Sequence, residues 1–174
     1  EHMNKFVQPK KINRAYFKMV EVAKNHSLIE TNNKLVSLHL CEGPGGFIEA
    51  CLDICKHKSI ELDWTGITLK NNDESQNIPD FKRQFHSENI TYGLDGSGDI
   101  TRPYNISYLS EIMQLKGGAD LITADGGFDV SSDYLSQEQQ SIHLFVCQVV
   151  SAILCQKSGG HFVMKIFDCH TKIM

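Results

Sequence analysis

The sequence predicts an α/β protein with a doubly wound, mainly parallel sheet, and two observations carry that expectation. Short apolar runs alternate with longer segments of helical period along most of the 174 residues, the pattern of strands joined by helical crossovers. The first of these runs, Leu38-His39-Leu40, feeds a Gly43-Pro44-Gly45-Gly46 turn that opens a helix. Three glycines in four residues permit positive φ and keep Cβ atoms off the main chain, while the next helix presents free N–H groups. Such a turn either hugs a ligand or is an ordinary tight strand-to-helix connection.

Each element follows from its own pattern. From Asn13 to about Ile29, the apolar residues Ala15, Phe17, Val20, Val22 and Ala23 predict a helix with mixed faces. Leu35 to Leu40 reads as a buried strand, and Phe47 to Cys55 as a densely apolar helix directly after the glycine turn. Trp64 to Leu69 is a second strand, Lys70 to Asp80 a loop or weak helix, Phe81 to Phe85 a turn of helix and Ile90 to Leu94 a third strand. Asp95 to Asp99 is a loop and Ile106 to Leu115 a helix. Ala119 to Ala124 is a fourth strand, which Asp125-Gly126-Gly127 ends sharply. Gln137 to Gln156 is the longest helix and nearly apolar, so heavy packing on a sheet is expected. Ser158-Gly159-Gly160 caps it, and His161 to Phe167 is the fifth strand.

Composition narrows the class. A chain that is 41% hydrophobic and 22% charged supports one domain with one core. No run reaches the length of a membrane span and no signal peptide is visible, so the chain reads as soluble and intracellular, in cytoplasm or nucleus. Glu1-His2-Met3 reads as a vector remnant, leaving residues 4–174 as the domain. Six cysteines sit mostly in apolar segments without CxxC spacing, which favours buried thiols over zinc ligands or disulfides. The net charge of −4 argues against a large nucleic-acid footprint, although Lys5, Lys10, Lys11, Arg14 and Lys18 gather near the start.

In a doubly wound sheet the ligand lies beyond the carboxyl ends of the strands. Glu42 to Phe47, Thr68, Asp95 to Ile100, Asp125 to Asp129 and Lys165 all fall on that rim. A dinucleotide site would want GxGxxG and an acid ending the second strand, but Gly66-Ile67-Thr68-Leu69 has none; GxxxxGK[ST] is absent too. A nucleoside without a pyrophosphate fits better, with Asp99 accepting from a base amine. Lys165 lies in the apolar run Phe162 to Phe167. It either snorkels, forms a plain ion pair, or works beside Asp125 as a tuned group that activates a hydroxyl.

Arg14-Ala15-Tyr16-Phe17-Lys18, Cys41-Glu42-Gly43-Pro44-Gly45-Gly46-Phe47, Thr123-Ala124-Asp125-Gly126-Gly127 and Gly159-Gly160-His161-Phe162-Val163-Met164-Lys165 occur in that order. In them the chain resembles the FtsJ/RrmJ-type ribose 2′-O-methyltransferases over nearly its whole length. The resemblance implies a Rossmann-like sheet of the class I methyltransferase type, S-adenosylmethionine as cofactor, and a Lys-Asp-Lys-Glu tetrad acting on RNA. Matched by motif, the first Lys is Lys18, the Asp is Asp125 and the second Lys is Lys165. It also implies that the loop Glu42, Gly43, Pro44, Gly45, Gly46 and Phe47 lines the methionine side of the cofactor, and that Asp99 with Ile100 meets its adenine. Thr68 stands where an acid would hold the cofactor ribose, and Asp125 borders both cofactor and substrate. Gly98-Asp99-Ile100-Thr101 and Ala124 to Asp129 look like the branch that methylates mRNA caps in eukaryotes and large DNA viruses; bacterial rRNA enzymes look more distant.

The family's closing Glu lies on a strand beyond the fifth, and no Glu follows Lys165 before Met174. The expectation is a domain truncated after its fifth strand and lacking that Glu, with a module that only binds RNA as the alternative. Lys165, tuned by Asp125 and Lys18, would orient a ribose 2′-OH; the sulfonium supplies the driving force, so no metal is required. Lys10, Lys11, Arg14 and Arg102 would contact phosphates of RNA, expected to be capped mRNA, alongside further domains or capping-machinery partners. An rRNA 2′-O-methyltransferase and a dinucleotide-dependent oxidoreductase stand as rival readings.

Overall fold

The computed structural model describes residues 11–31, 33–70, 81, 85, 87–127 and 134–166, with side chains in the last span from residue 141 onward. Helix α1 (Ala15–Asn25) precedes strand β1 (Lys34–Leu40), then come α2 (Gly46–Lys58), β2 (Glu61–Ile67), a 3-10 turn at Ser87–Asn89 and β3 (Ile90–Thr91). Helix α3 (Pro103–Leu115), β4 (Ala119–Ala124), α4 (Tyr134–Cys155) and β5 (Gln156–Met164) complete it. The five strands form one sheet in the order β3-β2-β1-β4-β5, and every pairing is parallel. This is the doubly wound α/β sheet that the alternating pattern predicts.

The period of two in β1 explains its two-sided burial. Val36, Leu38 and Leu40 enter the core shared with Leu109 and Met113 of α3 and Cys147, Ala152 and Cys155 of α4. Leu35 enters the opposite core, with Met19 and Ala23 of α1 and Ala50, Cys51 and Cys55 of α2. Helices therefore cover both faces, as an all-parallel sheet requires. Because β2 and β4 flank β1 on opposite sides, the winding direction reverses between β1 and β4. A crevice opens at such a point beyond the strand ends.

Several boundaries differ from the sequence reading. β2 begins at Glu61, three residues before Trp64, because Glu61 and Asp63 pair with β1 while their carboxylates meet Lys34 and Lys116. β3 is only Ile90–Thr91, since Gly93 turns the chain at φ 77°. Ser158-Gly159-Gly160 does not cap α4 but lies inside β5: Ala119 pairs with Gln156 and Leu121 with His161, so the extra residues bulge out. The Gln156 side-chain amide donates to the Gly160 carbonyl and closes the bulge. On α1, Phe17 is 59% exposed and Met19 takes the buried position instead. The heavy packing expected of α4 reaches one face only; Val146, Val149, Val150, Ile153 and Leu154 face outward among the described residues. The loop expected over Lys70 to Asp80 and the helical turn from Phe81 to Phe85 lie almost wholly outside the described residues.

Candidate active site

The register of the sheet sets the chemistry-bearing residues side by side. Leu40 pairs with Ile67 on one side and Ala124 on the other, and Ala124 pairs with Met164. The next residues continue the row: Glu42 N–H donates to Ile67 O (3.2 Å), Asp125 N–H to Leu40 O (3.2 Å) and Lys165 N–H to Ala124 O (2.8 Å). Lys165 Nζ lies 2.9 Å from Asp125 Oδ1 and donates to the Asp125 carbonyl at 2.8 Å. Neither side chain is fully exposed, so the pair is shielded enough to hold its geometry.

Lys18 reaches the same place from α1. A cleft of about 500 Å³ is lined by Asn13, Arg14, Lys18, Phe47, Asp125 and Lys165, among others. What brings α1 there is a clasp on α2. Lys11 Nζ and the Tyr16 hydroxyl both reach Asp53 Oδ2 (2.5 and 2.9 Å), and Ile12 N–H donates to Glu49 Oε2 at 2.9 Å. Asn13 Oδ1 accepts from Ala15 N–H, the first amide of α1, at 3.0 Å.

The glycine turn is shaped by the chain itself. Gly45 has φ 108°, and a Cβ there would overlap the Phe85 ring; one on Gly46 would overlap the Asn13 side chain. The space that these glycines open is thus filled by protein, and they serve to seat Phe85 and Asn13. Below the turn, Glu42 is only 1% exposed. Its Oε1 accepts from Phe47 N–H at 2.7 Å, satisfying a first-turn amide of α2. Burial, reinforced by the charge of Asp125, pushes the Glu42 carboxyl well above the usual carboxylate range. The Cys41 thiol is pushed up to about 12, chiefly by burial, and stays protonated. Thr68 is buried, its hydroxyl accepting from Gly43 N–H at 3.3 Å.

The loop after β3 is a tight polar knot against the end of β2. A Cβ on Gly98 would overlap the Thr68 carbonyl, and Lys70 N–H donates to Ser97 O at 2.7 Å. Asp99 Oδ1 accepts from both the amide (2.9 Å) and the hydroxyl (2.7 Å) of Thr101. Asp95 is held well below the usual carboxylate range by the amide of Ser97 first and Asn105 next. Arg102 pairs with Asp95 at 2.9 Å and with Asp99 at 3.3 Å. Ile100 is 2% exposed and belongs to the core.

A family model described as FtsJ-like methyltransferase matches residues 12–173. The chain belongs to the FtsJ-like methyltransferase family. Cap-specific mRNA (nucleoside-2′-O-)-methyltransferase 2 of Danio rerio is 29% identical across 95% of this chain and 24% of its own length. Its Drosophila melanogaster counterpart is 33% identical across 88% of the chain and 23% of its own length. Cap-specific mRNA (nucleoside-2′-O-)-methyltransferase 1 of Trypanosoma brucei brucei is 36% identical across 75% and 35%. The chain thus spans between about a quarter and a third of these relatives. A crystal structure assigned as a ribosomal RNA methyltransferase from Plasmodium falciparum shares the fold, with TM-score 0.58 and 21% identity over 87% of this chain and 76% of that one.

In this FtsJ-like domain, the residues anticipated from sequence sort into three groups. Lys18, Asp125 and Lys165 converge on one cleft, with Arg14 beside them. Phe47 lines the same cleft, with Glu42 bonded to its amide and Thr68 bonded to that of Gly43, but Asp99 holds Thr101 and Arg102, and Ile100 belongs to the core. Lys11 and Arg102, expected to meet phosphates, are already compensated by carboxylates, and Lys10 lies outside the described residues. The sequence reading missed Gln148, fully buried in mid-α4, whose Oε1 accepts from Gly126 N–H (3.2 Å) and fixes the turn after Asp125. It also missed His39 and Ser37, although two polar residues on one face of a buried strand are a legible sign of a hydrogen-bonded network.

Proposed function

We propose that this domain binds S-adenosylmethionine at the β1–β4 crevice and methylates a ribose 2′-OH of RNA, with capped mRNA as the substrate. The supporting observation is the convergence of Lys18, Asp125 and Lys165, from α1 and the ends of β4 and β5, beside the glycine turn. The lining fits the cofactor: the Asp125 carboxylate faces the cleft and suits a cationic ligand, while the end of β2 offers Thr68 rather than the carboxylate a dinucleotide wants. When bound, the cofactor supplies an electrophilic methyl on a sulfonium.

The chain's own residues do the rest. Asp125 fixes the Lys165 ammonium by a side-chain contact and a backbone carbonyl, so a hydroxyl brought to Nζ meets a single orientation. The Lys165 ammonium orients the 2′-OH, and as that oxygen takes the methyl its proton leaves to solvent. Arg14, at the N-cap of α1, and Lys18 on the helix are both exposed and carry the RNA phosphates past the cleft. The cap-specific names of the relatives support capped mRNA over rRNA. With the whole natural protein, Lys165→Ala is expected to lower methyl incorporation into capped RNA by about 10²–10⁴-fold while calorimetric affinity for S-adenosylhomocysteine stays. Saturable binding of NAD but not S-adenosylhomocysteine would overturn the reading in favour of an oxidoreductase.

A further inference from the structure

Beneath the glycine turn, four buried polar side chains form one hydrogen-bonded chain that methyl transfer leaves unused. Ser37 Oγ lies 2.9 Å from His39 Nε2, His39 Nδ1 lies 2.7 Å from Thr123 Oγ1, and Thr123 Oγ1 lies 3.4 Å from Glu42 Oε2. None of the four residues is more than 1% exposed. The other Glu42 oxygen accepts from Phe47 N–H, so the chain runs from the interior of β1 to the first turn of α2. Its far end lies next to the crevice.

Hydroxyls and a neutral imidazole both donate and accept, so the chain admits two self-consistent arrangements. With Glu42 protonated, Oε2–H donates to Thr123 Oγ1, the Thr123 hydroxyl donates to His39 Nδ1, and His39 Nε2–H donates to Ser37 Oγ. With Glu42 ionised every bond reverses: the Thr123 hydroxyl donates to Glu42, His39 Nδ1–H donates to Thr123, and the Ser37 hydroxyl donates to Nε2. Burial holds the His39 imidazole down at about 3, so the ring stays neutral and only its tautomer changes. The sense of the whole chain is therefore set by one proton on Glu42.

The groups facing Glu42 decide where that proton rests. Asp125 at the end of β4 repels a second negative charge and Lys165 at the end of β5 favours one, with burial outweighing both. Cys41 beside it and Cys51 of α2 are thiols whose ionisation Glu42 disfavours, and His39 is uncharged. A ligand cation added at the rim would tip this balance toward the carboxylate.

We propose that Glu42 is a proton-linked positioning residue of the cofactor site. It carries a proton when no ligand cation is near and releases it to solvent when a cationic ligand binds beside Asp125; the Thr123 hydroxyl then turns from His39 to the carboxylate, and His39, neutral in both states, passes from the Nε2–H to the Nδ1–H tautomer by exchanging its proton with solvent. The inference rests on the methyl-donor reading. It gives the site a means of telling the charged sulfonium from the neutral thioether that methyl transfer leaves behind.

The test compares sinefungin, which carries an ammonium in place of the sulfonium, with neutral S-adenosylhomocysteine. Calorimetry of the whole protein in two buffers of different ionisation enthalpy counts protons, and imidazole 15N spectra report the His39 tautomer. Sinefungin is expected to release a proton that S-adenosylhomocysteine does not, to gain about tenfold in affinity per pH unit while Glu42 is protonated, and to switch His39 to Nδ1–H. In Glu42→Gln, whose amide mimics the protonated acid, the excess proton and the switch should vanish. Equal proton counts and one unchanged tautomer with both ligands would overturn the proposal. If neither ligand binds, the methyl-donor reading falls. The coupling is then decided by a pH titration of the unliganded protein, and a His39 tautomer that does not change with pH, or changes identically in Glu42→Gln, overturns it.

Discussion

A buried imidazole in β1 and a buried carboxyl just beyond the end of the same strand leave opposite marks on stability. Glu42 binds its proton more tightly folded than unfolded, so the stability present below the ordinary glutamate range is lost as pH rises through its raised value. His39 binds its proton less tightly folded, so stability falls as pH drops from about 6.5 toward about 3. Thermal melts across pH should therefore show Glu42→Gln gaining on the wild type on the alkaline side only. Parallel curves for the two proteins would contradict the buried-acid account. At this scale the sequence made the three residues that meet in the cleft legible through motif resemblance, because Lys18, Asp125 and Lys165 each sit in a recognisable string. It hid the partners that hold the site, since Gln148 and His39 are meaningful only once Gly126 and Thr123 are brought to them from remote positions. It also gave no sign that the space freed at Gly45 and Gly46 seats Phe85 and Asn13.

Among the elements, strand β4 was legible to the residue because its apolar run ends in Asp125-Gly126-Gly127, which no strand continues. The β5 bulge was not: glycines after a long helix read equally as a cap or as an irregular strand start, and only pairing with β4 distinguishes them. The polar loop before α3 supplies a sharper test of element-level packing. Gly96 and Gly98 share positive φ, 74° and 72°, but a Cβ meets nothing within 4 Å at Gly96 and overlaps the Thr68 carbonyl at Gly98. Gly96→Ala should cost about 1 kcal/mol, the penalty of the left-handed backbone alone. Gly98→Ala should cost roughly 1–3 kcal/mol more through overpacking, read as a clearly larger fall in Tm. Equal losses in calorimetric melts would mean that the loop does not rest on the end of β2 as described.

The fold of the whole molecule was the most legible level, since alternation of strand and helix periods dictates a parallel sheet covered on both faces. Strand order was not written in any local pattern; it emerges from which apolar faces meet, and with it the crevice between β1 and β4. The global charge of −4 likewise says little about RNA, because Arg14, at the N-cap of α1, and Lys18 within it are exposed cations gathered at the cleft. If they carry phosphates, Arg14→Ala and Lys18→Ala should each reduce the slope of log affinity for RNA against log salt by about one, uniformly across sequences. An unchanged slope would move the RNA path elsewhere. The central claim, methylation of a ribose hydroxyl in this cleft, is tested most directly by labelled-methyl transfer from S-adenosylmethionine. The whole natural protein is given capped RNA and the same capped sequence with every 2′-OH replaced by hydrogen. The account predicts label in the RNA, none in the deoxy strand and near-total loss in Lys165→Ala; equal labelling of both strands, or label undiminished by Lys165→Ala, would contradict it.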